Sequence, residues 1–250
     1  MSLKNKICLV TGGSRGIGKG IVKILSQKGY NVAFTFNNEE QLAQDLESEL
    51  NDNGRSVKSF QMSIENRESV VSTHENIKKY FEESVSILIN NAAISQETPF
   101  DTITDDDWEK MLKVNLQGPF ICSQELLPDM IKDKWGRIVN IVSIGGQWGG
   151  FNQVHYAASK AALINFTQSL AKIYSHTGVT TNAVAIGLAR TDMSKQELDS
   201  EEGKKKVKNI PVGRAATVDE IANSVKFICS DDASYITGQT LNVNGGMYFG

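Results

Sequence analysis

Short apolar runs rich in β-branched residues alternate with longer amphipathic stretches along this chain, and that alternation narrows the possible folds more than any other feature. The apolar runs fall at residues 7–11, 31–35, 57–61, 87–90, 137–142, 180–185 and 239–243. Stretches with helical spacing fill most of the gaps, at 16–28, 39–52, 66–81, 105–132, 155–175 and 218–229. Near-continuous apolar strands separated by helices predict a parallel sheet covered on both faces. A chain of 250 residues, 40% hydrophobic and 22% charged, suits one large α/β domain or two small ones. No Pro- or Gly-rich linker and no internal repeat interrupts the pattern, so residues 1–250 read as one domain.

Charge and composition exclude several classes. A formal net charge of -3 and the lack of a basic patch argue against a nucleic-acid partner. No signal peptide precedes the first strand and no apolar run is long enough to span a bilayer, which reads as a soluble, cytoplasmic protein. The three cysteines, Cys8, Cys122 and Cys229, are far apart in apolar surroundings without metal-ligand spacing. They read as small core residues of a reducing compartment, and no metal site is expected.

Two motifs carry chemistry. Thr11-Gly12-Gly13-Ser14-Arg15-Gly16-Ile17-Gly18 follows the first strand and opens a helix. Phosphate oxygens approach a backbone closely only where no Cβ blocks them, and a helix N-terminus favours negative charge. A strand-turn-helix placement therefore points to a dinucleotide. NAD-binding chains of this type carry an acid after the second strand to hold the ribose hydroxyls. Here Thr35-Phe36-Asn37-Asn38 ends that strand, with no acid until Glu39, and Arg15 can pair with a phosphate, which favours NADP(H). The second motif is Tyr156-Ala157-Ala158-Ser159-Lys160, with Ser143 upstream. Residues at i and i+4 share a helix face. An ammonium there is expected to lower a phenol pKa from about 10 toward the working range of a general acid.

Taken in order, Thr11 to Gly18, Asn90-Asn91-Ala92-Ala93, Asn115, Ser143, Tyr156/Lys160, Ile186-Gly187 and the closing Asn242-Val243-Asn244-Gly245-Gly246 resemble the short-chain dehydrogenase/reductase family. Within it, Asn182-Ala183-Val184-Ala185, Thr191-Asp192-Met193 and Pro211-Val212-Gly213-Arg214 are most similar to the bacterial 3-oxoacyl-(acyl-carrier-protein) reductases of fatty acid biosynthesis. The resemblance implies a single Rossmann-type, doubly wound α/β domain with a seven-stranded parallel sheet. It implies an oxidoreductase that reduces a ketone to a secondary alcohol with NADPH. Tyr156 donates the proton, Lys160 lowers its pKa and holds the nicotinamide ribose, Ser143 polarises the carbonyl, and Asn115 positions a water in the proton relay. The implied cofactor contacts are Gly12, Ser14, Arg15, Gly16, Ile17, Gly18, Asn37, Ser63, Ile64, Asn90, Ala92, Tyr156, Lys160, Ala189 and Thr191. Asn90 is expected on the adenosine ribose and Thr191 at the nicotinamide end. Asn115 has a plainer reading, an amide that satisfies a buried backbone group.

The chain departs from the family pattern at Ala93 and Ile186, where glycine and proline are usual, and at Ser63, where an acid is usual. Family members use a basic pair at the active-site mouth to hold an acyl carrier protein. Here that pair is Lys134 and Thr177, with Lys132 and Arg137 nearby, so half of it is missing. Trp148 and Phe151 are expected to flank the substrate, or else to pack within their loop. The polar segment 194–209, within a lid expected over about 187–210, reads either as a solvated helix or as a mobile lid. His155 is expected to face substrate or solvent, and His74 and His176 to be exposed. The family's homotetramers pack the long helices near 105–132 and 155–175 against a partner, where Ala161, Ala162, Phe166 and Leu170 stand. Competing readings are a specialised ketone, sugar or alcohol dehydrogenase of the same family and a non-catalytic NADP-sensing protein.

Overall fold

The computed structural model describes residues 6–191, 194 and 198–250. Seven strands form one sheet: β1 (Ile7–Val10), β2 (Asn31–Phe36), β3 (Val57–Gln61), β4 (Val85–Asn90), β5 (Gly136–Ser143), β6 (Val179–Ile186) and β9 (Thr240–Val243). Their order is β3-β2-β1-β4-β5-β6-β9, and every neighbouring pair is parallel. Two-residue strands β7 (Ala189–Arg190) and β8 (Ala216–Thr217) pair separately and tie off the segment between them. Burial explains the sequence pattern: β1 is buried at all four positions, and β6 at all eight. Such strands have no solvent face and so no polar alternation.

Helices cover both faces. α1 (Gly16–Gln27), α2 (Glu40–Asp52) and α9 (Val218–Cys229) bury Ile21, Leu25, Leu46, Ile221 and Val225 in one core layer. α3 (Arg67–Phe81), α5 (Gly118–Lys132) and α7 (Val154–Tyr174) pack on the other side through Val70, Ile77, Ile121, Leu126 and Leu163. The stretch expected as one helix over 105–132 is helical throughout but changes its winding part-way. α4 (Asp105–Leu112) runs into a π turn (Lys113–Gln117) before α5 begins. The short α6 (Gly145–Trp148) escapes the periodicity, and α8 (Glu201–Lys208) forms within the segment 194–209 that reads as a solvated helix or a lid.

The helix starts differ in a way that matters. α3, α4, α8 and α9 are capped by the side chains of Asn66, Thr104, Ser200 and Thr217, and α4 and α9 carry full capping boxes. α1 has no side-chain cap and no acid in its first turn. Its free N–H groups and the positive end of its dipole face outward at the carboxyl edge of β1. That edge lies where the strand order reverses between β1 and β4, the usual place for a ligand crevice in an open α/β sheet.

Candidate active site

The glycine turn is built by close approach. Gly12 and Gly16 have φ of +64° and +56°, where glycine is favoured. A Cβ on Gly18 would lie 2.2 Å from the Gly12 carbonyl oxygen. The turn is braced by the segment just after β4 and by Thr35 of β2. Asn91 Nδ2 donates to the carbonyls of Thr11 and Gly12 at 2.9 and 3.0 Å. Thr11 Oγ1 accepts from Asn91 N and Ala92 N, each at 3.0 Å. The result is an open cradle beside an uncapped helix start, which fits the pyrophosphate of a dinucleotide. Thr191 faces this turn, its methyl 3.9 Å from where a Cβ on Gly16 would stand, and Ala189 begins β7 two residues before it. Arg15 is half exposed, and its guanidinium lies 4.0 Å from the Glu39 carboxylate. The first acid after β2 therefore does reach the residue expected to pair with a phosphate. Ser63 follows β3, and Ile64 is buried against Gly118.

The motif residues converge at the carboxyl ends of β4 and β5. Ser143 ends β5, and its Oγ accepts from Gly145 N at 3.1 Å. Its hydroxyl lies near enough to the Tyr156 phenol to favour the phenolate. Lys160 is 3% exposed, donates to the Ile141 carbonyl at 3.0 Å and lies 5.7 Å from the centre of the Tyr156 ring. Asn115 sits in the π turn, fully buried. Its Oδ1 accepts from Ile94 N at 2.9 Å, and its Nδ2 donates to Ile94 O at 2.9 Å and to Ser159 Oγ at 3.2 Å. The side chain thus does what the plainer reading describes. Ser159 has no sequence-based role here, yet its hydroxyl also donates to the Tyr156 carbonyl at 2.7 Å. It couples the Asn115 amide to the tyrosine's own turn. Its place inside the Tyr-x-x-x-Lys motif is the only sequence signal for it.

Several expectations need correction. The Tyr156 pKa is raised rather than lowered, because burial penalises the phenolate more than the Ser143 hydroxyl favours it. Lys160 is itself desolvated, which pulls its ammonium down to about 8. Asn90 does not turn its side chain toward a ribose. It is 2% exposed and donates to Asn140 Oδ1 at 2.8 Å and Ser123 Oγ at 3.3 Å, inside the sheet. His155 is fully buried, and among the described residues neither of its ring nitrogens has a hydrogen-bond partner. His74 is also buried, 3.8 Å from Asp129, whereas His176 is exposed as expected. Lys134 and Thr177 precede β5 and β6, so they stand at the amino edge of the sheet. Ser143 lies at the other end of β5, about 23 Å away at the rise of a strand. Arg137 is buried and pairs with Asp231 at 3.5 Å rather than lining a mouth.

Trp148 ends α6 and is 52% exposed, while Phe151 is 92% exposed. Asn37 follows β2, and its carbonyl accepts from Gln61 Nε2 at 3.0 Å. α8 is a helix whose Glu201 and Glu202 lie at its start and whose lysines lie at its end, the arrangement its dipole favours. Residues 192, 193 and 195–197 of the expected lid lie outside the described residues. All three cysteines are buried, and burial pushes the thiols of Cys122 and Cys229 up to about 12. Among the described residues no helix is long and apolar enough to cross a membrane, and no group of residues is arranged to hold a metal ion.

A protein-family profile described as Enoyl-(Acyl carrier protein) reductase matches residues 12–248. The chain belongs to the short-chain dehydrogenase/reductase family. It is 43% identical over 249 residues to the 3-oxoacyl-(acyl-carrier-protein) reductase of Aquifex aeolicus, covering 99% of each chain. It is 40% identical over 248 residues to the proteins of the same name from Vibrio cholerae and Escherichia coli, again covering 99% of each. Membership in this family makes the chain an oxidoreductase that uses a nicotinamide cofactor on carbonyl or hydroxyl groups.

Proposed function

We propose that this short-chain dehydrogenase/reductase reduces 3-oxoacyl thioesters to 3-hydroxyacyl thioesters with NADPH, the acyl group arriving on an acyl carrier protein. The observation that carries the reading is the convergence of Ser143, Tyr156 and Lys160 beside the cradle of Gly12 to Gly18, in a chain that full-length relatives of that name match at about 40%. The cradle and Arg15 hold the phosphates, with Thr191 beside them and Lys160 on the nicotinamide ribose. The bound nicotinamide supplies the hydride. The Ser143 hydroxyl donates a hydrogen bond to the substrate carbonyl and steadies the charge that develops there. Tyr156 gives its proton to the same oxygen. A phenol held protonated by burial suits this role, since it arrives at the carbonyl with its proton. Lys160 lies beneath the ring, where its charge favours the phenolate that remains. Asn115, tied through Ser159 to the Tyr156 turn, holds the ring in register.

NADPH oxidation with acetoacetyl-CoA and with a carrier-bound 3-oxoacyl chain tests the reaction. Tyr156→Phe should abolish turnover and leave the NADPH dissociation constant nearly unchanged. A crotonyl thioester is a needed arm, because the family profile's description names an enoyl reduction; turnover of that substrate instead would replace this reading. Turnover of a keto-sugar or cyclic ketone with none of the thioesters would favour the specialised dehydrogenase. A homotetramer is part of the proposal. A groove of about 570 Å³ runs past Leu112, Leu116, Phe120 and Phe166 on α4, the π turn, α5 and α7, and Phe120 is 39% exposed. Light scattering on the purified protein tests it.

A further inference from the structure

The chain does not stop at its last strand. After β9 it turns at Gly245 and Gly246, with φ of +63° and +87°, and folds back over the carboxyl edge of the sheet. Asn244, 6% exposed, sets that path. Its Oδ1 accepts from Gly246 N at 2.9 Å, its Nδ2 donates to the Tyr248 carbonyl at 3.0 Å, and its own carbonyl accepts from Met247 N at 3.2 Å. The tail rests on two neighbours of the candidate active site. Gly187, just after β6, donates its N–H to Val243 O at 3.2 Å and leaves only 3.0 Å between its Cβ position and Asn244 Cα. On the other side Val212 N donates to Gly245 O at 3.1 Å, and Gly246 packs on Pro211. The tail is thus fixed between the turn after β6 and the downstream base of the expected lid.

Tyr248 is the residue this path delivers. Its ring meets Trp148 edge to face, with centroids 6.1 Å apart and planes at 80°. Trp148 stands at the end of α6, five residues from Ser143, which a helical rise places roughly 8 Å along from the hydroxyl that faces the carbonyl. The pair therefore joins an element that starts at the reacting carbonyl to one that ends the chain, a hundred residues later. An aromatic contact of this kind is apolar and shaped, suited to meeting hydrocarbon rather than a charged or hydroxylated group.

We propose that Tyr248 closes the far end of the substrate pocket against Trp148 and so sets the longest acyl chain the enzyme accepts. The inference rests on the thioester-reductase reading. The hydrocarbon end of the 3-oxoacyl group runs from Ser143 along α6 toward the aromatic pair, and the thioester leaves the opposite way. Tyr248 is a specificity residue and takes no part in proton transfer.

The test is a chain-length series with the full-length protein and NADPH: acetoacetyl-, 3-oxohexanoyl- and 3-oxododecanoyl-CoA, with kcat and KM measured separately. Tyr248→Ala should raise the ratio of kcat/KM for the dodecanoyl to the butanoyl chain at least tenfold, through KM. Tyr248→Phe, which keeps the ring, should leave the parent profile in place. Calorimetric NADPH binding and thermal melting establish that the variants are folded; if Tyr248→Ala is not, Tyr248→Leu removes the ring with less loss of apolar contact. A folded variant without the ring whose length profile superimposes on that of the parent overturns the inference while leaving the thioester reading intact. A parent that turns over none of the three overturns both.

Discussion

Lys160 stores a cost that can be measured without any substrate. Its ammonium is 3% exposed, it is held by one hydrogen bond to the Ile141 carbonyl, and burial depresses its pKa from 10.5 to about 8. At roughly 1.4 kcal/mol per pKa unit, keeping it charged in the folded chain costs on the order of 3 kcal/mol. Lys160→Met removes that charge in nearly the same volume. It also removes the hydrogen bond, worth ~1 kcal/mol. The cofactor-free variant should therefore be more stable than the parent by ~2 kcal/mol near neutral pH, about 4–8 °C in Tm for a domain of this size. The direction with pH follows from proton counts. Between the folded pKa and 10.5 the unfolded chain holds a proton that the folded chain has released, so the parent gains stability as pH rises through that window. The variant has no such gain, and its advantage should shrink by roughly 2 kcal/mol between about pH 7 and pH 9.5. Urea unfolding at the two pH values reads both numbers. A variant less stable than the parent at pH 7, or a gap independent of pH, would refute the claim that the lysine is strained by its burial.

Four further outcomes test the cofactor cradle. Gly18→Ala pushes a methyl against the Gly12 carbonyl, and at ~1–3 kcal/mol for such overpacking NADPH should bind about ten- to a hundredfold more weakly by fluorescence titration. Thr11→Val leaves the N–H groups of Asn91 and Ala92 without their acceptor and should lower stability to urea by ~1–3 kcal/mol. Arg15→Ala should weaken NADPH about tenfold with NADH unchanged. Glu39→Gln, by freeing Arg15 of its carboxylate neighbour, should tighten NADPH a few-fold at low salt, the scale of an exposed ion pair. Calorimetry with both nucleotides separates these effects, and equal binding of NADH and NADPH by the parent would count against the phosphate role of Arg15.

The features legible in the sequence are those fixed by local spacing. The glycine turn is a matter of eight consecutive residues, and Tyr156 and Lys160 share a face because a helix repeats every 3.6 residues. Seven apolar runs give the parallel sheet because its inner strands, such as β1 and β6, are buried on both faces, while the edge strands β3 and β9 are partly exposed. What escaped depends on partners distant in the chain. Asn90 reads as a ligand group until the β4–β5 register sets it beside Asn140, whose Oδ1 accepts from its Nδ2. His155 falls on the buried face of its helix although the residue after it lines the site. The helix expected over 105–132 runs through, but it widens to a π turn around Asn115, whose amide bonds the backbone of Ile94 instead of projecting freely. Tyr156 is the most instructive case. The spacing correctly brings an ammonium near its ring, but the sign of its pKa shift is decided by desolvation, which no spacing reports. The same burial that raises the phenol lowers the ammonium, so each group is pushed toward its neutral form. A neutral phenol beside a lysine held near its titration point can give up its proton once negative charge gathers on a carbonyl above it, and burial, which raised the barrier to ionising either group alone, makes their interaction stronger when it comes.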